Sequence, residues 1–145
     1  MKLLLAALTL GLSAPLVSAQ SIPASAGEVL FSTKIHRGAT GAQFGRSVAA
    51  IGDLDGDGIG DLAVGASSSD DGAMNAGSLW ILFMNTDYTV KSSQKISATF
   101  GGFTGPLNFD NQFGKAICGL GDLDGDGVLD IAVGAPSESD PLDRA

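Results

Sequence analysis

Two segments of the chain share one pattern, GDLDGDGIGDLAVGA at 52–66 and GDLDGDGVLDIAVGA at 121–135. Each gathers four aspartates within nine positions: Asp53, Asp55, Asp57 and Asp61, then Asp122, Asp124, Asp126 and Asp130. Two like charges about 4 Å apart repel by roughly 1 kcal/mol in water and by several times that near a protein surface. A fold that draws four carboxylates together therefore needs a counter-ion. Aspartate at positions 1, 3, 5 and 9, with Gly58 or Gly127 at position 6 for a left-handed bend, follows the spacing by which a tight loop wraps oxygens around calcium. Position 7, Ile59 or Val128, offers its backbone carbonyl. The donors are hard oxygens and neither loop contains His or Cys, which favours calcium over zinc or copper. Magnesium keeps more of its water and takes fewer protein ligands. The spacing thus predicts two structural Ca2+ sites.

The flanking residues say what kind of fold carries these loops. An EF-hand needs a bidentate Glu at position 12 and a helix on each side. Position 12 here is Val64 or Val133, and the following runs LAVGA and IAVGA read as buried strands. The preceding SVAAIG and AICGLG also read as strands, so each loop joins two strands. The repeat is larger than the loop. FGRSVAAIGDLDGDG starts at Phe44 and FGKAICGLGDLDGDG at Phe113, an offset of 69, while VLFSTKI from Val29 and VKSSQKI from Val90 are offset by 61. The eight extra residues lie between Ile96 and Phe113, within SATFGGFTGPLNFDNQ. One full unit is predicted to have strands at about 47–51, 62–66, 78–84 (SLWILFM, apolar on both faces) and 90–96. A unit of this size made of short strands and Gly-rich turns suggests a propeller blade or a similar array.

Phe44-Gly45 with VGAS, and Phe113-Gly114 with VGAP, each around an aspartate loop, resemble the FG-GAP repeats of the integrin alpha-chain beta-propeller and its relatives. The resemblance runs from about residue 28 to the end. It implies an all-β fold, a partial beta-propeller of about one and a half to two blades taken from a seven-bladed ring, with calcium in the hairpin loop between the first two strands of a blade. Carried over by position, the ligands are Asp53, Asp55, Asp57, the Ile59 carbonyl and Asp61, then Asp122, Asp124, Asp126, the Val128 carbonyl and Asp130. The expected domains are repeat 1 at about 34–96 and repeat 2 at about 97–145, the latter ending before any counterpart of SLWILFM. On that count the chain is expected to be the N-terminal piece of a longer protein, because sheets left with open faces and edges are unstable alone.

Residues 1–19 differ from the rest: Lys2, the apolar run LLLAALTLGL, Pro15, then VSA before Gln20. This reads as a signal peptide cleaved after Ala19, and the run is too short to span a bilayer, which needs about 20 apolar residues. The expected location is secreted or extracellular, without membrane insertion. There the single cysteine, Cys118, can form no disulfide within the chain. Cys118 aligns with Ala49 and is expected in the core, as is Trp80; Phe44 and Phe113 are expected as plugs between blades. A net charge of −8 makes nucleic acid and anionic membranes poor partners. His36 has no serine, cysteine or second histidine set to complete it, so no catalytic constellation is present and the chain does not read as an enzyme. SSSDDGAMNAG (67–77) reads as a flexible loop whose Asp70 and Asp71 extend a surface. Two function classes follow. One is a calcium-stabilised binding or adhesion module for an extracellular protein or glycan ligand; the other is the accessory propeller region of a secreted enzyme, such as a phospholipase D-like hydrolase.

Overall fold

The computed structural model describes residues 35, 37 and 39–137. The signal segment at 1–19, the run from Val29, His36 and the residues after 137 lie outside the described residues. All described strands belong to one compact unit, Lys34–Ala145. They are β1 (Phe44–Gly52), β2 (Asp61–Ala66), β3 (Ser78–Met84), β4 (Val90–Ile96), β5 (Ala116–Gly121) and β6 (Asp130–Gly134). Among the described residues there is no helix. The first four strands form an antiparallel meander in the order β1-β2-β3-β4, and β5 and β6 form a second, two-stranded antiparallel sheet. This is an all-β, β-propeller type of architecture, one full blade followed by the first two strands of another.

The strand positions follow the expectation, with one difference at the start. β1 begins at Phe44, paired with Ala66, and an irregularity between Phe44 and Ser47 precedes the regular ladder. Period-two alternation then sorts β2 and β3 between two apolar faces. Ala63, Leu79 and Ile81 join Ile51, Leu107 and Phe113 in one cluster, against which Ile117, Ile131 and Val133 of the second sheet pack. Val64, Leu82 and Met84 form a second cluster on the other face, with Phe44, Leu62, Trp80 and Val90 beside them. β3 is therefore covered on both faces, and Leu79 and Leu82 are fully buried.

The two sheets meet through backbone. Gly77 bridges Phe113 in parallel, and Phe113 N donates to Ala76 O at 3.0 Å. Ser47 Oγ donates to Gly114 O at 2.7 Å. A Cβ on Gly65 would overlap that same carbonyl, so glycine here is what lets the Phe-Gly turn of one sheet seat on the next. The two phenylalanines consequently differ. Phe113 is buried between the sheets with its ring centroid 5.1 Å from that of Phe103, while Phe44 is half-buried on the opposite face, edge-on to Trp80 at 6.2 Å. Only Phe113 packs between the two described sheets.

Two other expectations are corrected. Cys118 is exposed, not in the core, because it alternates with Ile117 and points away from the first sheet. The 67–77 loop is not loose: Gly77 N bonds Ser69 O at 2.9 Å, Asn75 N bonds Asp70 Oδ1 at 2.8 Å, and Asp71 pairs with Lys95. Gln112 N and Asp110 N bond Asn75 O and Met74 O, each at 2.9 Å, which ties this loop to the 97–115 connection.

Candidate metal centre

Each aspartate loop is wound by its own carboxylates, and the winding is nearly the same twice. In the first, Asp53 accepts from Asp57 N at 3.0 Å and from Gly58 N at 2.7 Å. In the second, Asp122 accepts from Gly125 N at 2.7 Å and from Gly127 N at 3.0 Å. Position 5 caps position 7 in both: Ile59 N donates to Asp57 Oδ1 at 2.9 Å, and Val128 N to Asp126 Oδ1 at 2.8 Å. Position 9 reaches back to position 2: Leu54 N donates to Asp61 Oδ2 at 2.9 Å, and Leu123 N to Asp130 Oδ2 at 2.8 Å. Gly58 and Gly127 both have φ of 87°, the left-handed bend the spacing required. Gly56 and Gly125, at 75° and 80°, supply a second such bend two residues earlier.

This winding aims oxygens at a common point. One carboxylate oxygen each from Asp53, Asp55 and Asp61 lie within 4.8 Å of one another, and Asp122, Asp124 and Asp130 do the same. Asp57 and Asp126, at position 5, fall outside these trios, each with one oxygen already turned to the backbone. Ile59 is half-buried and Val128 exposed. The donor set consists of hard carboxylate oxygens, all but those of Asp55 held by backbone N–H groups, and it fits a calcium ion. When bound, calcium would supply two positive charges to neutralise carboxylates that otherwise repel.

The copies differ in their surroundings. Asp61 is 1% exposed and its Oδ1 also accepts from Met84 N, at 3.0 Å, at the end of β3. Asp130 is half-buried, and among the described residues it accepts from Leu123 N alone. The first loop also meets a cation: Lys91 Nζ lies 2.9 Å from Asp55 Oδ2 and 2.6 Å from Asp57 Oδ2. The Lys91 hydrogen bond first, and the Ile59 N–H second, hold the Asp57 carboxyl below its ordinary value. Its hydrogen bonds to Asp55 first and Asp57 second hold the Lys91 ammonium well above its own. Sequence spacing located the four aspartates of each loop but missed Met84 and Lys91. Both lie more than twenty residues away in the chain, and no local pattern marks them.

Comparison with known proteins agrees with this geometry. The family model described as FG-GAP repeat matches residues 44–82 and 113–144. The chain is 35% identical over 100 residues to "Integrin alpha-2" of Mus musculus, covering 68% of this chain and 8% of that protein. It is 34% identical over 99 residues to "Integrin alpha-PS5" of Drosophila melanogaster, covering 67% and 9% respectively. To "Integrin alpha-4" of Xenopus laevis it is 36% identical over 100 residues, covering 69% and 9%. The chain thus spans less than a tenth of the length of these curated relatives. Both matched segments begin at a Phe-Gly turn and run through an aspartate loop, one in each described sheet, and the chain belongs to the FG-GAP repeat proteins.

Proposed function

We propose that the chain is a secreted or cell-surface calcium-binding FG-GAP module of the adhesion type, in which two calcium ions serve the fold and not a reaction. The observation that carries this reading is the convergence of three carboxylate oxygens in each of two loops wound alike. The proposed ligands are Asp53, Asp55, Asp57, the Ile59 carbonyl and Asp61, then Asp122, Asp124, Asp126, the Val128 carbonyl and Asp130. Position 5 caps the backbone with Oδ1, and its Oδ2 would be the ligand atom, which in the first loop Lys91 Nζ contacts at 2.6 Å. The similarity to proteins named integrin alpha supports a role in binding an extracellular protein or glycan. The β2–β3 and β4–β5 connections lie at the end of the sheet opposite the aspartate loops. Met74, Phe100 and Phe109 are exposed on them. Secretion follows from the N-terminal segment, with the mature chain beginning at Gln20.

Calorimetric titration and thermal melting test the proposal together. Extracellular calcium modules bind at about 0.1–1 mM. At about 1 mM free calcium and a dissociation constant of about 0.1 mM, mass action adds on the order of 1.4 kcal/mol per site. The secreted chain should melt higher in calcium than in chelator, and Asp57→Ala should remove about one site's share. No heat of binding together with identical melting in both buffers would return the aspartates to the role of acidic turns.

A further inference from the structure

We propose that Lys91 sets the cation affinity of the first aspartate loop: it is a resident counter-ion, aimed by a β-bulge, that opposes divalent-cation binding at Asp53, Asp55 and Asp61. The inference rests on the calcium reading above and concerns a residue that the repeat pattern does not require.

The backbone carries the first part of the case. In the β3–β4 ladder Phe83 pairs with Ser92, and the next residue, Met84, pairs with Val90. Lys91 is therefore the extra residue of a bulge. A bulge bends its strand and re-aims a side chain out of the regular alternation. Here it sends the Lys91 ammonium to Asp55 Oδ2 and Asp57 Oδ2, at 2.9 and 2.6 Å, across 36 and 34 residues of sequence. Asp55 is one of the three aspartates whose oxygens converge, so the ammonium contacts the candidate cation site itself.

The second part is the repeat pattern. The loops share their winding, their glycine bends and their trio of converging oxygens. The lysine is not fixed by the repeat: where VKSSQKI places Lys91, the offset run VLFSTKI places Leu30.

A divalent ion entering the first loop meets a fixed positive charge and draws Asp55 away from it. Lys91 side-chain exposure of 43% places this repulsion in a water-like medium. Coulomb's law for charges of two and one at about 5–6 Å in water gives roughly a tenfold weakening of affinity at low salt. Screening over about 8 Å at 0.15 M ionic strength reduces that to about two- to threefold. The same ammonium neutralises part of the loop when calcium is scarce, so the first loop should tolerate chelator better with Lys91 than with methionine in its place.

Calcium calorimetry on the full secreted chain tests this, with the second loop disabled by Asp122→Ala and Asp124→Ala so that heat reports the first loop alone. Lys91→Met should tighten calcium binding by about five- to tenfold in low-salt buffer, Lys91→Gln should do the same, and Lys91→Arg should restore the parent affinity. The gap between parent and Lys91→Met should narrow as sodium chloride rises to 0.15 M. In the converse background, with Asp53→Ala and Asp55→Ala, Lys91→Met should leave binding at the second loop unchanged. If the first loop binds with the same or weaker affinity in both Lys91→Met and Lys91→Gln, the inference is overturned while the calcium reading stands. If neither loop takes up calcium in any background, both are overturned.

Discussion

Removing the Asp61 carboxylate should destabilise the protein even when no calcium is present. Asp61 is 1% exposed, and its two oxygens accept from Met84 N at 3.0 Å and Leu54 N at 2.9 Å. Hydrogen bonds to a charged acceptor contribute about 1.5–3 kcal/mol each, and a buried N–H left without a partner costs about 1–3 kcal/mol. Asp61→Ala strands both N–H groups, so a loss of about 3–5 kcal/mol is expected. Asp61→Asn keeps one oxygen acceptor and turns an amide N–H₂ toward the other donor, for an expected loss of about 1.5–3 kcal/mol. In a domain of about 100 residues each kcal/mol shifts the melting temperature by about 4–8 °C. The assay is thermal and urea unfolding in excess chelator, with Asp130→Asn as the matched control. Asp130 is half-buried and accepts from one N–H, and its substitution should cost about 1 kcal/mol. Asp61→Asn is the decisive variant, because Asp61→Ala removes as much as a small domain's whole stability. A loss below about 1 kcal/mol for Asp61→Asn in chelator, with a larger loss only in calcium, would refute the structural role and leave Asp61 as a metal ligand alone.

Phe113→Ala should cost about 3–5 kcal/mol and half-buried Phe44→Ala only about 1–2 kcal/mol, read as the difference in urea midpoints; equal losses would contradict their different placement. Gly65→Ala should cost more than about 2 kcal/mol, because its Cβ would displace the Gly114 carbonyl and Ser47 Oγ and so part the two sheets; wild-type stability in that variant would mean the close approach is absent in solution. Exposed Cys118 should react with a disulfide reagent in the native protein at nearly the rate seen in urea, and a reaction that waits for unfolding would place the thiol back in the core.

Much of the fold was legible because strand patterning is local. β2, β3 and β4 occupy the expected segments, since alternation and turn residues mark them without reference to neighbours. What failed depended on which face of a strand finds a partner. Cys118 and Ala49 share a repeat position, yet the β5 residue faces away from the first sheet and is exposed. Phe44 and Phe113 share another; among the described residues Phe113 has a sheet on each side, while Phe44 packs with Trp80 and Ile35 on the other face of the first sheet. The 67–77 loop reads as loose from its Ser, Asp and Gly content, but its backbone groups find partners in 110–113, far off in sequence. The loops divide in the same way. Spacing names four aspartates per loop, because bonds such as Ile59 N to Asp57 Oδ1 span two residues. It does not name Met84 or Lys91, which arrive through strand pairing and a bulge.

Among the described residues the two loops adjoin sheets of different extent. The second adjoins β5 and β6, the two strands of its repeat that the described residues include. The first is stitched across its whole sheet: Asp61 starts β2 and takes a bond from the end of β3, and Asp55 and Asp57 take bonds from β4. Charge neutralisation in that loop is already shared among backbone N–H groups, an ammonium and whatever cation enters. Any cation that enters the first loop would meet carboxylates already held by these bonds, so substitutions of Asp55, Asp57 or Asp61 test the pairing of the strands as well as the cation.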